Sequence, residues 1–508
     1  MMRTLVTTLW SLLLLQTPSS AFQCSVESVQ HFLPAGSTAL RALSLPDNLS
    51  FSDPSEVAYP GITSALPALC LLTINVTSSR SSSYRFGLFL SEVWNGRFAA
   101  VGNGGLAGGI NWPSMGTMAK YGFAVVSTDT GHNGTSSDGT FALNGNETIT
   151  DNAYRAMHGS VEHAKAIVQE HYGRNISYSY YSGCSTGGRQ GLVELQKYPE
   201  DFDGVLVGAP AWESTKIAAF FVQMGVINLP KTSDHHIPPS LYPLIQAEAI
   251  QQCDGVDGVE DGVISDPQAC HFRAETLLCT PGSNTSTCLT DPQINTLHLL
   301  YGHYFDVARP LFYYALPPGS EAGWSALLPS DAPLSLGTNA FAYVQLQDPN
   351  WDWRELNISI IVEKDATGDR SGIPEDFDIR PFADHELLPY KTSRTFYEAV
   401  YRNISSQDVA YTVDDFYRLF YVPGMLHCSE DLGRNIYGVP GFEDANHDAV
   451  LALMHWVEKG EAPKWITATK FVNESIDLGV RRQRKLCPYP KTARLVGDDV
   501  HDAGSWEC

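Results

Sequence analysis

Three residues of this chain carry types and an order that could do chemistry: Ser185, Asp384 and His427. Gly183-Cys184-Ser185-Thr186-Gly187 matches G-x-S-x-G, the pattern in which a tight strand-to-helix turn lifts a serine hydroxyl above a sheet edge. Such a serine attacks a carbonyl carbon when a histidine takes its proton and an acid orients that histidine. The pattern fixes only three positions, so a glycine-rich turn with an idle hydroxyl is the plainer reading until context decides. Enzymes built on this turn carry the acid and then the histidine downstream. Asp384, in RPFADHELLP, and His427, in VPGMLHCSED 43 residues later, satisfy that order. Each has a plain alternative: Asp384 as a loop aspartate, and His385 or His447 in place of His427.

The elements around Ser185 supply the context. YRFGLFLS and GRFAAVGNGG read as strands, and YGFAVVSTDTG as an apolar run with a polar tip. Apolar runs followed by glycine and then helix have the rhythm of parallel βαβ units. Ala153, Met157, Val161, Ala164 and Ile167 recur at three- and four-residue spacing and predict an amphipathic helix. ISYSYYSG alternates as a strand into the serine turn, GRQGLVELQKYP follows as a helix, and FDGVLVGAP as a buried strand. Ser185 therefore falls between a predicted strand and a predicted helix, whose N-terminus aims free N–H groups at developing negative charge. FDIRPFADHE reads as a strand end and loop, KTSRTFYEAVYR as a helix, and VDDFYRLFYVPGMLHC as a helix or strand leading into a loop.

Composition narrows the class. The chain has 508 residues, 43% hydrophobic and 18% charged, enough for a large core. Its formal charge of −23 argues against nucleic acid and anionic membrane surfaces as partners. Residues 1–21 have the shape of a signal peptide: one arginine, an apolar run over about Leu5 to Leu15, then Ser19-Ser20-Ala21. That run is too short to span a bilayer. Ten cysteines and sequons at Asn48, Asn75, Asn133, Asn146, Asn175, Asn284, Asn357, Asn403 and Asn473 suit a secreted, extracellular glycoprotein.

The neighbours of the candidate residues are themselves informative. Cys184 precedes Ser185 and Cys428 follows His427; if the two bond, their Cα atoms come within about 4.4–6.8 Å and the two loops lie side by side. A redox cysteine is the alternative, without a C-x-x-C partner. GCSTGGRQGL, PGMLHC and the aspartate of FADHELLP together resemble the Cys-Ser/Asp/His-Cys arrangement of the fungal tannase and feruloyl esterase family. WNGRFAAVGNGGLAGGI, VVSTDTGH, YRAMHGSVEHAKAI and KLCPYPKTARLVGD extend the resemblance over almost the whole mature chain, and feruloyl esterase B is the nearest pattern within it. Two places depart from it: Leu426 replaces a small residue before His-Cys, and Pro381-Phe382 precede Ala383-Asp384 in place of a Gly-Trp or Gly-Ser sequence.

The resemblance implies an α/β-hydrolase fold with a large inserted lid. The expected domains are the core over 22–211 and 379–508 and a lid over 212–378, where βαβ alternation stops and Pro, Trp and Tyr become frequent. It implies Ser185 as nucleophile, His427 as base and Asp384 as its orienting acid. The oxyanion donors would be the N–H of Thr186 and one from GNGGLAGG, at Gly104 or Gly105. That loop lacks the Lys-Ser/Thr of a P-loop and the spacing of G-x-G-x-x-G.

CDGVDGVEDGVISDPQAC, residues 253–270, sets three aspartates among glycines, a donor set that suits calcium although the loop is no EF-hand. Read alone it is a solvated acidic turn. The resemblance implies a structural calcium held by Asp254, Asp257 and Asp261 with the carbonyls of Val259 and Val263, and no organic cofactor. It also implies bridges Cys24–Cys70, Cys184–Cys428, Cys253–Cys270, Cys279–Cys288 and Cys487–Cys508. The expected activity is release of hydroxycinnamic acids of the ferulic type from plant cell-wall polysaccharide esters by a monomer or homodimer. Three alternatives stand beside it: a tannase cutting galloyl esters, an esterase or lactonase of a fungal aromatic metabolite, and an inactive phenolic- or carbohydrate-binding relative.

Overall fold

The computed structural model describes residues 23–302, 304–306, 309–313, 315–329, 331–366, 377, 379, 386–390, 394–406, 412–428, 439 and 441–508. The expected signal segment, Pro381-Phe382, Asp384 and His385 lie outside them.

Eight strands form one sheet. In chain order they are β1 (Ser37–Leu45), β2 (Leu69–Thr77), β3 (Ser83–Ser91), β4 (Arg97–Val101), β5 (Ala124–Thr128), β6 (Tyr178–Cys184), β7 (Gly204–Gly208) and β8 (Glu386–Tyr390). Their spatial order is β1-β2-β3-β5-β4-β6-β7-β8. The first three neighbours pair antiparallel, and from β5 to β8 every pair is parallel. The βαβ rhythm expected from residue 85 onward thus starts one strand later, at β4. Only a short connection joins β3 to β4, too short for the crossover that parallel neighbours need.

Alternate side chains enter opposite cores because the strand period is two. Phe98 and Ala100 join Leu72, Ile74 and Phe86 on one face, while Ala99 and Val101 join Leu71 and Phe89 on the other. α1 (Trp112–Ala119) covers the second face and α2 (Ala156–Tyr172) the first. The five apolar positions that predicted the α2 helix are all buried; Ala153 lies in the wider turn just before it. α3 (Thr186–Lys197) starts directly after Ser185 and packs against β6 and β7.

The stretch between β7 and β8 contributes no strand to this sheet among its described residues. Its helices α4 (Ser214–Asn228), α5 (Tyr242–Cys253) and α6 (Asp291–Leu300) enclose a core of their own around Phe220, Met224, Ile245, Leu297 and Trp324. The chain then returns through α7 (Arg394–Ser405), α8 (Ala449–Lys459) and the hairpin β9 (Ile466–Phe471)–β10 (Val480–Leu486). FDIRPFADHE, expected as a strand end and loop, falls mostly outside the described residues, and β8 lies at Glu386–Tyr390. As the last strand of the sheet it tolerates Pro389, which has no N–H to donate. Residues 413–428, expected as a helix or strand leading into a loop, form a short turn at Val413–Asp415 and then run without a regular strand, with an isolated bridge between Phe420 and Pro488.

Candidate active site

Ser185 sits in the left-handed region at φ 61°, ψ −120°. That conformation costs an L-residue about 1–2 kcal/mol and persists only where its surroundings hold it. Three main-chain bonds do so: Ser185 N–H donates to Gly208 O at 2.9 Å, Ala211 N–H to Ser185 O at 2.9 Å, and Arg189 N–H to Ser185 O at 3.0 Å. The flanking glycines are steric requirements. A Cβ on Gly183 would lie 2.6 Å from the carbonyl of Gly187, and one on Gly187 would lie 3.0 Å from Asn103 O. Strand, turn and helix therefore stack on one another and on the loop after β4. Thr186 is the first residue of α3, so its N–H has no acceptor within the helix and the dipole favours an anion there.

The rear of α3 is clamped as well. Glu194 is fully buried, and burial followed by nearby Asp201 holds its carboxyl well above the ordinary range. His158 of α2 reaches Asp201 at 2.7 Å and stacks on Tyr198 at 3.4 Å. These contacts tie α2, the elbow helix and the turn into β7 together.

The disulfide Cys184–Cys428 holds the histidine loop against the elbow, with Cα atoms 6.0 Å apart. The other four bridges are Cys24–Cys70, Cys253–Cys270, Cys279–Cys288 and Cys487–Cys508, the pairing the resemblance implied. His427 is exposed, one residue before Cys428, itself in the left-handed region at φ 54°. Leu426, the departure from the family pattern, meets the inserted stretch at Gly323, where a Cβ would lie 3.5 Å from its Cδ2. Asp384 lies outside the described residues, and no contact of it enters the geometry.

The loop Gly102–Asn111 is fixed beside the elbow by polar side chains with no local sequence signature. Asn103 N–H donates to Gln190 Oε1 of α3 at 2.9 Å, and Asn103 Nδ2 donates to Gly109 O and Thr128 O at 3.1 and 3.0 Å. Glu56 Oε2 accepts from Ile110 N–H at 3.2 Å and from Arg85 Nη2 at 3.1 Å, while Arg85 Nε donates to Asp129 Oδ2 at 2.9 Å. Asp129 is nearly enclosed, and burial pushes it up to about 6 even with Arg85 upon it. Motif VVSTDTGH thus supplies a scaffold for the glycine loop. Of the two candidate donors there, Gly104 faces open space, and its N–H donates to Tyr59 Oη at 2.8 Å. Gly105 adopts φ 57°, and a Cβ on it would strike Ser136 O at 2.4 Å. Tyr59 escaped the sequence reading because it lies 45 residues before the atom it touches.

The acidic loop of the inserted stretch lies beside the histidine loop: a Cβ on Gly424 would be 3.8 Å from Val263 Cγ1. Asp254 accepts from Gly262 and Val263 N–H at 2.8 and 3.0 Å, and Asp257 accepts from Val259 N–H at 3.0 Å. Asp261 accepts from Val263 N–H at 3.1 Å and is paired with Arg484 of β10. Burial holds Arg484 below its ordinary value despite Asp261 and Asp257. Three carboxylates and neighbouring carbonyls fit a hard cation in kind. The donor atoms of the three aspartates are not gathered as tightly as those of His158, Glu194 and Asp201, which lie within 4.8 Å of one another, and Asp261 is turned to Arg484.

A family model described as tannase and feruloyl esterase matches residues 70–321 and 381–508. A probable feruloyl esterase B-2 of Neosartorya fischeri is 34% identical over 499 residues, covering 94% of this chain and 91% of that protein. The crystal structure of feruloyl esterase B from Aspergillus oryzae superposes with a TM-score of 0.86 at 29% identity, over 95% of this chain and 100% of that one. That of an esterase from Aspergillus oryzae gives 0.85 at 31% identity, over 94% and 97%.

Proposed function

Since this chain belongs to the tannase and feruloyl esterase family and is a carboxylic ester hydrolase, we propose that it releases hydroxycinnamic acids of the ferulic type from plant polysaccharide esters. The observation that carries the mechanism is the Cys184–Cys428 bridge, which brings the strained Ser185 turn and the His427 loop together. Ser185 Oγ attacks the ester carbonyl, His427 takes its proton and returns it to the leaving alcohol, and Asp384 orients the imidazole. Thr186 N–H and a glycine-loop N–H, at Gly104 or Gly105, stabilise the tetrahedral oxyanion, each such donor contributing roughly 10²–10³ in rate. Where Gly104 serves, the ester oxygen displaces the Tyr59 hydroxyl that its N–H now meets. Water then attacks the acyl-enzyme by the same path in reverse. The lid over 212–378 would supply the aromatic acyl pocket.

We place the protein outside the cell. Five disulfides persist in an oxidising compartment, and no helix among the described residues is long and apolar enough to cross a membrane.

The test is hydrolysis of methyl ferulate and methyl gallate side by side by the secreted protein. Higher kcat/KM on ferulate is the expected result. Preference for gallate would make the protein a tannase with the same mechanism. Turnover of neither ester, with a fungal aromatic metabolite ester cleaved instead, would replace the substrate class.

We also propose that Asp254, Asp257 and Asp261 and the carbonyls of Val259 and Val263 hold a structural calcium. Val263 touches the histidine loop at Gly424, so the ion would brace His427 from behind without meeting substrate. At hundredfold saturation a bound ion adds about 3 kcal/mol. Chelation should therefore lower Tm by a few degrees and reduce kcat, and added calcium should restore both. An unchanged Tm after chelation and metal analysis showing no calcium would remove the ion.

A further inference from the structure

A second feature of the surface is a cleft of about 470 Å³ lined by Arg418, Lys464, Trp465, Lys485, Pro488 and Lys491 together with Glu507 and Cys508. The chain carries 33 basic against 56 acidic residues, and several arginines elsewhere are spent on carboxylates: Arg85 on Glu56, Arg97 on Glu458, Arg155 on Glu147, Arg484 on Asp261. In the cleft four cations, Arg418, Lys464, Lys485 and Lys491, face the single carboxylate side chain of Glu507, so the side chains of the lining carry an excess of positive charge. Like charges held together favour an anion from outside.

The cleft is built. Arg418 is fixed by donating to Pro463 O at 2.8 Å and lies 5.5 Å from the ring centre of Trp456. Lys485 sits opposite Thr467 in the β9–β10 hairpin, with its ammonium 4.7 Å from the ring centre of Trp465. Pro488 bridges to Phe420, and the Cys487–Cys508 disulfide closes the border. A half-buried indole beside a proline offers an apolar wall, while the cations offer donors for carboxylate oxygens.

Its place in the fold separates it from ester cleavage. Trp456 belongs to α8, whose neighbouring Val457 covers Gly204, the N-terminal end of β7. Ser185 follows the opposite, C-terminal ends of these parallel strands.

We propose that this cleft is a docking site for a carboxylated sugar polymer, a chain of uronic-acid residues of the plant wall. A uronate unit presents a C–H face for the apolar wall and a carboxylate for the cations, and repeats along the chain. The whole-protein charge of −23 repels polyanions in general, so binding depends on these local cations. The choice of a sugar polymer rests on the esterase function proposed above.

The experiment is affinity electrophoresis of the full secreted protein in gels containing polygalacturonate or neutral arabinoxylan, at low and high salt. Lys464→Glu/Lys491→Glu is run beside it, because both lysines are exposed and their reversal should leave the fold intact. Polygalacturonate should retard the wild type and arabinoxylan should not, with the effect weakened by salt. The double variant should bind roughly tenfold or more weakly while turning over methyl ferulate as before. No retardation by polygalacturonate, unaltered retardation of the variant, or equal retardation by DNA would overturn the proposal. The esterase function is judged separately, by methyl ferulate turnover in the same preparations.

Discussion

Ser185→Ala should hydrolyse neither methyl ferulate nor methyl gallate measurably, with kcat lower by roughly a millionfold, the size of loss seen when a triad nucleophile is removed. The fold should survive. Position 185 has φ 61° whichever of the two residues stands there, and its three stabilising bonds are main-chain bonds that alanine keeps. Tm should therefore stay within about a degree or two of wild type. Ser185→Gly sharpens the contrast. Glycine accepts this conformation without strain, so that variant should be equally inactive yet more stable by up to about 1–2 kcal/mol. Inactivity with unchanged or raised Tm marks a residue kept for chemistry at the expense of stability. Wild-type turnover in either variant would remove Ser185 from the mechanism and leave the elbow a structural turn.

The parts of the site that were legible in the sequence are those whose requirement is local. The elbow shows itself because Gly183 and Gly187 must lack side chains within two residues of Ser185, where helix, strand and loop backbones meet. The adjacency of Cys184 to Ser185 and of Cys428 to His427 is equally local, and the bridge between them follows the expected pairing. α2 was visible from its apolar spacing and α3 from its place after the turn.

What escaped is set by contacts between distant segments. Tyr59 on Gly104 N–H, Glu56 on Arg85, and Arg484 on Asp261 leave no pattern in their own neighbourhoods. The loop ending at His427 was ambiguous because Phe416, Tyr417, Leu419 and Phe420 look like an apolar element. They are buried as loop residues against the sheet's two cores, with no period to betray it. Strand β8 leaves little mark in its own residues, because its apolar run is short and contains Pro389, a residue that sequence rules admit only at a sheet edge.

The second large effect belongs to the disulfide. Cys184→Ala/Cys428→Ala opens a covalent loop spanning 244 residues, worth up to about 5 kcal/mol in the chain-entropy account. More of the effect should fall on catalysis than that figure suggests. Cys184 Sγ lies against Gly208, 3.0 Å from where a Cβ would stand, and Gly208 O is the acceptor that holds Ser185 N–H. The same bridge fixes Cys428 and thus the residue before it, His427. Without it the proposed nucleophile Ser185 and the proposed base His427 are joined only through non-covalent packing. A misplacement of about 1 Å costs on the order of 10²-fold in rate, so kcat should fall at least that far at a temperature where the variant is still folded. Cys279→Ala/Cys288→Ala is the matched control, closing only 9 residues within the inserted stretch. Its entropy loss is about 2–3 kcal/mol, and its kcat should stay near wild type. If the two variants lost activity in proportion to Tm alone, the bridge at the elbow would be a staple for stability. A kcat loss confined to the elbow pair, with circular dichroism unchanged, would mean that the covalent link itself sets the distance between nucleophile and base.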